Sequence, residues 1–359
     1  MVQNDALILV INPGSTSTKV AIYRGTKEIH KKTIEHPADE LNRFDLVAEQ
    51  FDLRRAGIEV WLEAIPANDR KFAAIAGRGA PLKPLEGGTY SISEQLLKDV
   101  RTSKYSNHAS NISPILSDHF ARQYNVPAYI TDPITVDNFT DLARISGFPG
   151  IVRKCRSHAL NIKAVGRAAA AEMGKKLTDV NFVVAHMGGG ISVAALKGGL
   201  IVDVNDGLLG MGPFSPDRAG ALPVGALVEL CFSDRVEKKD LLNQLSKKSG
   251  LMGYLGEADL RKVEERISGG DKEAALIYDA MCYQIAKEIG AAAVVLKGNL
   301  AAIILTGGMA NSQKLTDTIG DYVEFIAPVK LVPGEHEMPA LAEGALRALS
   351  GEEAIREYK

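Results

Sequence analysis

A chain of 359 residues with 46% apolar and 24% charged side chains is too long for one ordinary core and suits two, since domains commonly hold roughly 100–200 residues, and its balance excludes a disordered or fibrous protein. The formal net charge of -2 offers no broad positive field, which excludes nucleic acid as a main partner and leaves any anion site to be local. Three cysteines, Cys155, Cys231 and Cys282, lack CxxC spacing and a histidine cluster, so neither a disulfide framework nor a zinc site is indicated; all three read as small buried hydrophobes, reduced in the cytoplasm.

The first predicted element is a short apolar run, residues 7–11, preceded by Asp5 and cut off by Asn12-Pro13-Gly14. It is neither a signal peptide nor a membrane span, and no membrane partner is expected. Residues 7–25 (LILVINPGSTSTKVAIYRG) read as strand, tight turn, strand, turn, and residues 181–199 (NFVVAHMGGGISVAALKGG) repeat that plan half a chain later. Both turns carry glycines and hydroxyls: Gly14, Ser15, Thr16 and Ser17 in the first, Gly188, Gly189, Gly190 and Ser192 in the second. Such turns direct backbone N–H groups toward one point, where phosphates bind. Between and beyond the hairpins, strands are predicted over 72–76, 128–131, 302–305 and 323–326, and helices over 157–176, 273–295 and 340–349. This alternation implies layered α/β domains, and the duplication implies two of similar build. The break is expected at Gly147-Phe148-Pro149-Gly150, giving domains over 1–149 and 150–339, with the last helix in 340–359 crossing back onto the first.

A third glycine turn, Thr306-Gly307-Gly308-Met309-Ala310-Asn311-Ser312, follows the 302–305 strand, with Ser312 or Asn311 placed to cap the next helix. Gly-Gly after a strand lets a flat ligand approach the backbone, so an adenosine fits there. A GxxxxGK[ST] loop, an HRD or DFG set and a GxGxxG after a strand are all missing from the sequence, which disfavours the nucleotide folds that carry them. Taken singly, Arg78 and Arg218 read more readily as surface salt-bridge arginines, Asp132 as a helix or turn cap before Pro133, and His186 as a satisfied core histidine.

Their shared order reverses those readings. INPGSTSTK, AGRGAPLKPL, HASN, TDPITVDNFTDLARISG, SHALN, AHMGGGIS, DVNDGLLGMGPFSPDRAG, LTGGMAN and PGEHEMPALAEGALR succeed one another along essentially the whole chain. In them the chain resembles the acetate and butyrate kinase family, the acetokinases of the sugar kinase, Hsp70 and actin superfamily, and most of all its butyrate kinase branch. The resemblance implies two duplicated actin-like, ribonuclease H-like domains with an ATP cleft between them, the first binding acid and phosphate and the second nucleotide. It implies ATP-dependent phosphorylation of a short-chain carboxylic acid with Mg²⁺ as cofactor, butyrate first and acetate, propionate or a branched acid as alternatives. Asn12, Ser15, Ser17 and Lys19 would line one phosphate loop, and His186, Gly188, Gly189 and Gly190 the other. Arg78, Asp132 and Arg218 would be catalytic; Gly307, Gly308 and Asn311 would contact the adenosine. Glu337, or Glu335 in its place, would hold Mg²⁺; His108 and His158 would position or catalyse. A homodimer or larger homo-oligomer is expected.

The residue types suit that chemistry. A fatty-acid carboxylate, with a pKa near ~4.3 like that of a glutamate side chain, is already a nucleophile at neutral pH. The barrier is charge crowding, which calls for a divalent cation and for guanidinium groups that bind oxygens in pairs. One departure stands out: acetate kinases carry GFHGTSH where this chain has GFPGIVRKCRSHALN, retaining His158 alone. Butyrate kinases tend to have an apolar pair before HALN, and here it is Arg156-Ser157. Small Ala80, two positions past Arg78, is compatible with room for a longer acid.

Overall fold

The computed structural model describes residues 5–233 and 235–359. The chain divides into two units, one of the residues up to Asp137 with His336–Lys359, the other of Asn138–Glu335. Among the described residues the first unit holds β1 (Leu7–Pro13), β2 (Ser17–Arg24), β3 (Lys27–Glu35), β4 (Phe72–Arg78), β5 (Thr89–Ser91) and β6 (Ala128–Thr131). The second holds β7 (Asn181–Met187), β8 (Ile191–Lys197), β9 (Leu200–Val204), β10 (Ala302–Gly307) and β11 (Val329–Pro333), and β12 (Arg356–Glu357) returns to the first.

The sheet of the first unit runs β12-β5-β6-β4-β1-β2-β3 and that of the second β11-β10-β7-β8-β9. In the first, β1 is antiparallel to β2, β2 to β3, and β1, β4 and β6 run parallel. In the second, β7, β8 and β9 repeat the antiparallel meander and β7, β10 and β11 the parallel set. The predicted duplication is therefore one of whole sheets. Every residue of β1 is buried, as a central strand covered on both faces requires. Helices Ile112–Tyr124 and Glu337–Ser350 pack on β1, β4 and β6. The core of the second unit sits between β7–β8 and the helix Lys272–Val295, which contributes Tyr278, Met281, Ile285 and Ile289.

Three expectations about elements need correction. The division falls at Asp137/Asn138, not in the 147–150 stretch, because that stretch is tied into the second unit. Thr140 N–H donates to Val202 O (3.3 Å), Arg153 pairs with Asp203 (2.7 Å) and reaches Ala143 O, and Ile145 bridges Val152. The return begins at His336 rather than residue 340, since the final helix starts at Glu337. Residues 323–326 are no strand: Leu315, Ile319 and Val323 form the buried stripe of the helix Gln313–Val323, and the strand follows at Val329–Pro333. Ser312, not Asn311, caps that helix, its Oγ accepting from Leu315 N–H at 3.0 Å. Cys155 and Cys282 are buried as expected, but Cys231 is exposed, because the apolar helix Val224–Cys231 buries none of its residues. Among the described residues no helix is long and apolar enough to cross a membrane.

Candidate active site

In the first unit the β1–β2 turn closes with Gly14 N–H donating to Ser17 O (2.8 Å), leaving Ser15 and Thr16 exposed. Lys19 lies opposite Asn12 in the β1–β2 pairing, its side chain exposed and that of Asn12 buried. Strands β1 and β4 run parallel, so the ends that carry Asn12 and Arg78 are neighbours, and the helix starting at Glu337 brings a carboxylate to both. Asn12 Nδ2 donates to Glu337 Oε2 at 2.8 Å, Arg78 Nη2 stands 3.1 Å from Glu337 Oε1, and Arg78 Nη1 donates to Asn12 Oδ1 at 3.4 Å. Glu337, not the exposed Glu335, thus joins the predicted phosphate and arginine residues. A Mg²⁺ ion carried by nucleotide phosphates needs one or two protein carboxylates and completes its shell with water. The Glu337 carboxylate, already held by an amide and a guanidinium, fits that role. Among the described residues no cluster of three or more His, Cys, Asp or Glu offers an all-protein cage.

His108 completes this half. Burial first, and then the charge of Arg78, hold its imidazole below the ordinary range, and its Nδ1 lies 2.8 Å from Ser110 Oγ. Asp132, at the end of β6, is 2% exposed and has a φ of +40°. Its Oδ1 accepts from Gly88 N–H at 2.8 Å while its own N–H donates to Gly88 O at 2.9 Å. A left-handed backbone at a buried, non-glycine residue is uncommon and costs conformational strain. Ala80 is fully buried in the core of this unit.

In the second unit His186 is the penultimate residue of β7, 4% exposed. Asn161 Nδ2 lies 2.8 Å from its Nδ1 and 3.2 Å from Thr306 Oγ1. An amide nitrogen can only donate, so Nδ1 accepts and the neutral ring carries its proton on Nε2. Nε2 is directed to the glycine turn, 3.8 Å from where a Cβ on Gly188 would stand. His158 stacks on His186, ring centroids 4.0 Å apart, and lies 3.0 Å from Ser192 Oγ. The turn itself is closed by Gly188 N–H donating to Gly190 O (3.1 Å), and Ser215 Oγ donates to Gly189 O (2.5 Å).

Arg218 lies beside this turn, its Nη1 donating to Gly207 O. A Cβ on Gly190 would come 2.3 Å from that Nη1, so the glycine is what lets the guanidinium approach. With Ile191, Gly207, Pro213 and Ser215, Arg218 lines a small cavity. Burial raises the Asp217 carboxyl, with the adjacent Arg218 charge opposing it. Gly307, at φ +90°, could carry no side chain, since a Cβ would meet Met187 O at 2.3 Å. Gly308 and Asn311 are exposed, with Asn311 Nδ2 donating to Gly308 O at 2.9 Å.

Sequence reasoning missed three supports. Arg54 holds the first turn from behind, Asn161 sets the His186 tautomer, and Ser215 anchors Gly189. Asn161 lay in the HALN segment and Ser215 in the PFSPDRAG segment; Arg54 was visible as a charge on an apolar helical stripe.

A family model described as the Acetokinase family matches residues 149–329. Butyrate kinase 1 of Clostridium acetobutylicum is 46% identical over 352 residues, 98% of this chain and 99% of that protein. The chain belongs to the acetokinase family. Solved structures agree on the fold: acetate kinase of Porphyromonas gingivalis superposes with a TM-score of 0.74 at 18% identity, covering 95% of this chain and 99% of that one. A propionate kinase from Francisella tularensis gives 0.72 at 18% identity, covering 94% and 98%. The two sheets are thus those of the duplicated actin-like fold of acetokinases.

Proposed function

We propose that this acetokinase transfers the γ-phosphoryl group of ATP to a short-chain fatty acid, butanoate + ATP giving butanoyl phosphate + ADP. The similarity to a butyrate kinase over almost the whole of both chains carries the reading, and the grouping of Asn12, Arg78 and Glu337 supports it. A carboxylate oxygen attacks the γ-phosphorus in line, the bond to the β–γ bridging oxygen breaks, and ADP leaves with that electron pair. The acid enters ionised, so no base is needed. Arg78, steadied by Glu337 and Asn12, presents paired donors to the transferring group, and Arg218 turns from Gly207 O to do the same. The exposed β1–β2 turn and the His186–Gly190 turn receive phosphates, His186 donating from Nε2. The backbone at Gly307 and Gly308, with Asn311, takes the adenosine, and Asp132 orients the reacting groups.

Glu337 would hold Mg²⁺, which on binding neutralises phosphate charge. In this assignment the first unit binds acid and phosphate and the second nucleotide. An enzyme that spends ATP belongs in the cytoplasm, and the net charge of -2 speaks against a nucleic-acid partner. The helix Val224–Cys231, none of it buried, and Phe232, 88% exposed, support a homo-oligomer. The test of function is a hydroxylamine trap for acyl phosphate with ATP, Mg²⁺ and acids from acetate to valerate. Butyrate or isobutyrate should give the highest kcat/KM, since each buried methylene contributes up to ~0.8 kcal/mol. Acetate in first place would overturn the butyrate assignment, and no hydroxamate with any acid the whole reading.

A further inference from the structure

Arg54 lies in the helix Phe51–Glu63 with no exposed surface, on the stripe that also buries Ile58, Trp61 and Leu62. A guanidinium remains charged there, and burying such a charge is costly unless something balances it. No carboxylate among the described residues does so. Nε donates to Gln50 Oε1 at 3.0 Å, Nη1 to Ser17 O at 3.1 Å and Thr18 Oγ1 at 3.0 Å, and Nη2 to Ser15 O at 3.2 Å. Four of its five donors thus end on neutral oxygens. Two of these are carbonyls of the β1–β2 turn itself.

The second observation is where the rest of that turn points. With the Ser15 carbonyl turned onto Arg54, the trans peptide sends the Thr16 N–H the opposite way, and Ser15 and Thr16 are the exposed residues of the turn. On the buried side, Thr18 Oγ1 lies 2.9 Å from His36 Nε2. Beside a fixed guanidinium the hydroxyl proton is directed to Nε2, which keeps His36 neutral. Arg54 is then a positive charge beneath the turn, with the Ser15 and Ser17 carbonyls on its side and the Thr16 N–H displayed on the other.

We propose that Arg54 is a positioning residue whose counter-ion is the polyphosphate of the substrate: it shapes residues 14–18 from behind, and its charge is balanced only when phosphate occupies the exposed side. This rests on reading the chain as an ATP-dependent kinase, and it separates two effects. The charge should set phosphate affinity, whereas the fork, which alone can hold both carbonyls, should set the turn geometry and hence turnover.

The experiment measures tripolyphosphate binding by calorimetry and kcat by the hydroxylamine trap for the parent, Arg54→Lys, Arg54→Met and Thr18→Val. Arg54→Met should weaken tripolyphosphate binding about 10- to 100-fold, while Arg54→Lys stays within roughly threefold of the parent; both should lose kcat by about tenfold or more. If Arg54→Met does not fold, Arg54→Lys and Thr18→Val decide: each should keep the affinity and lose turnover. Parent-like affinity in Arg54→Met, equal affinities in Met and Lys variants, parent-like kcat in Arg54→Lys, or a parent that binds no tripolyphosphate would each overturn the proposal. A parent that binds tripolyphosphate yet makes no acyl phosphate sinks the kinase reading instead, and the affinities alone then decide the role of Arg54.

Discussion

Arg78 and Arg218, to which the proposed function gives one task, are held differently. Arg78 is paired with the Glu337 carboxylate and the Asn12 amide, whereas Arg218 donates to the Gly207 carbonyl and stands 3.7 Å from the Asp217 carboxylate. Replacing either by Ala should lower kcat roughly 10²–10³-fold while changing the KM for ATP far less. Lysine keeps the charge but not the paired donors, so each Arg→Lys should fall nearer to Ala than to the parent. Acyl phosphate formation at saturating ATP is the readout, and near-parent kcat in both Ala variants would remove these arginines from the site. His36, 6% exposed, gives a prediction about pH. Burial first, and then the Arg54 charge, lower its pKa from 6.5 to about 4. A base depressed in the folded state takes up its proton first in the unfolded chain, so its contribution is complete above pH 6.5 and lost as pH falls toward 4. That loss is about 3 kcal/mol at most. Urea midpoints at pH 7.5, 5.5 and 4.5 should therefore fall less steeply for His36→Gln than for the parent.

At the scale of elements, close approach of helix to sheet fixes where β1 and β4 end. A Cβ on Gly77 would lie 2.4 Å from Ser117 Oγ and 2.8 Å from Ser113 Oγ, and Ser113 Oγ donates to Ile11 O at 3.1 Å. Gly77→Ala should thus push the helix Ile112–Tyr124 off the sheet beside Asn12 and Arg78, at about 1–3 kcal/mol of stability. Ser117 Oγ is buried with no hydrogen-bond partner, so Ser117→Ala alone should be nearly neutral and should recover part of the loss in the double variant. Thermal unfolding of the three variants checks this; an unaltered Gly77→Ala would mean that the helix has slack.

For the whole molecule, the open question is what covers the Val224–Cys231 helix. Val224 is 73% exposed, Val228 48% and Phe232 88%. Each fully buried side chain of this size contributes about 1.5–3 kcal/mol. In the oligomer proposed above, the variant carrying Val228→Glu and Phe232→Asp should sediment as a smaller species than the parent. Unchanged sedimentation would place the interface elsewhere.

The sequence by itself determined what is local or ordered along the chain. Strand-turn-strand periodicity announced both hairpins, the glycines marked the turns that need close approach or positive φ, and the succession of segments named the family. Only the tertiary structure decided which distant residues meet. Asn12 and Glu337 are 325 residues apart yet 2.8 Å apart in space, and no local pattern carries that distance, so Glu335 stood as an alternative to Glu337 until the packing of the final helix on β1 and β4 brought Glu337 to Asn12. The same holds for the unit boundary, which Arg153 and Thr140 move to Asp137 by bonding to β9, and for the buried charge of Arg54, two of whose four partners are turn carbonyls that any residue types supply. Backbone groups are identical in every residue; where they point is a property of the fold.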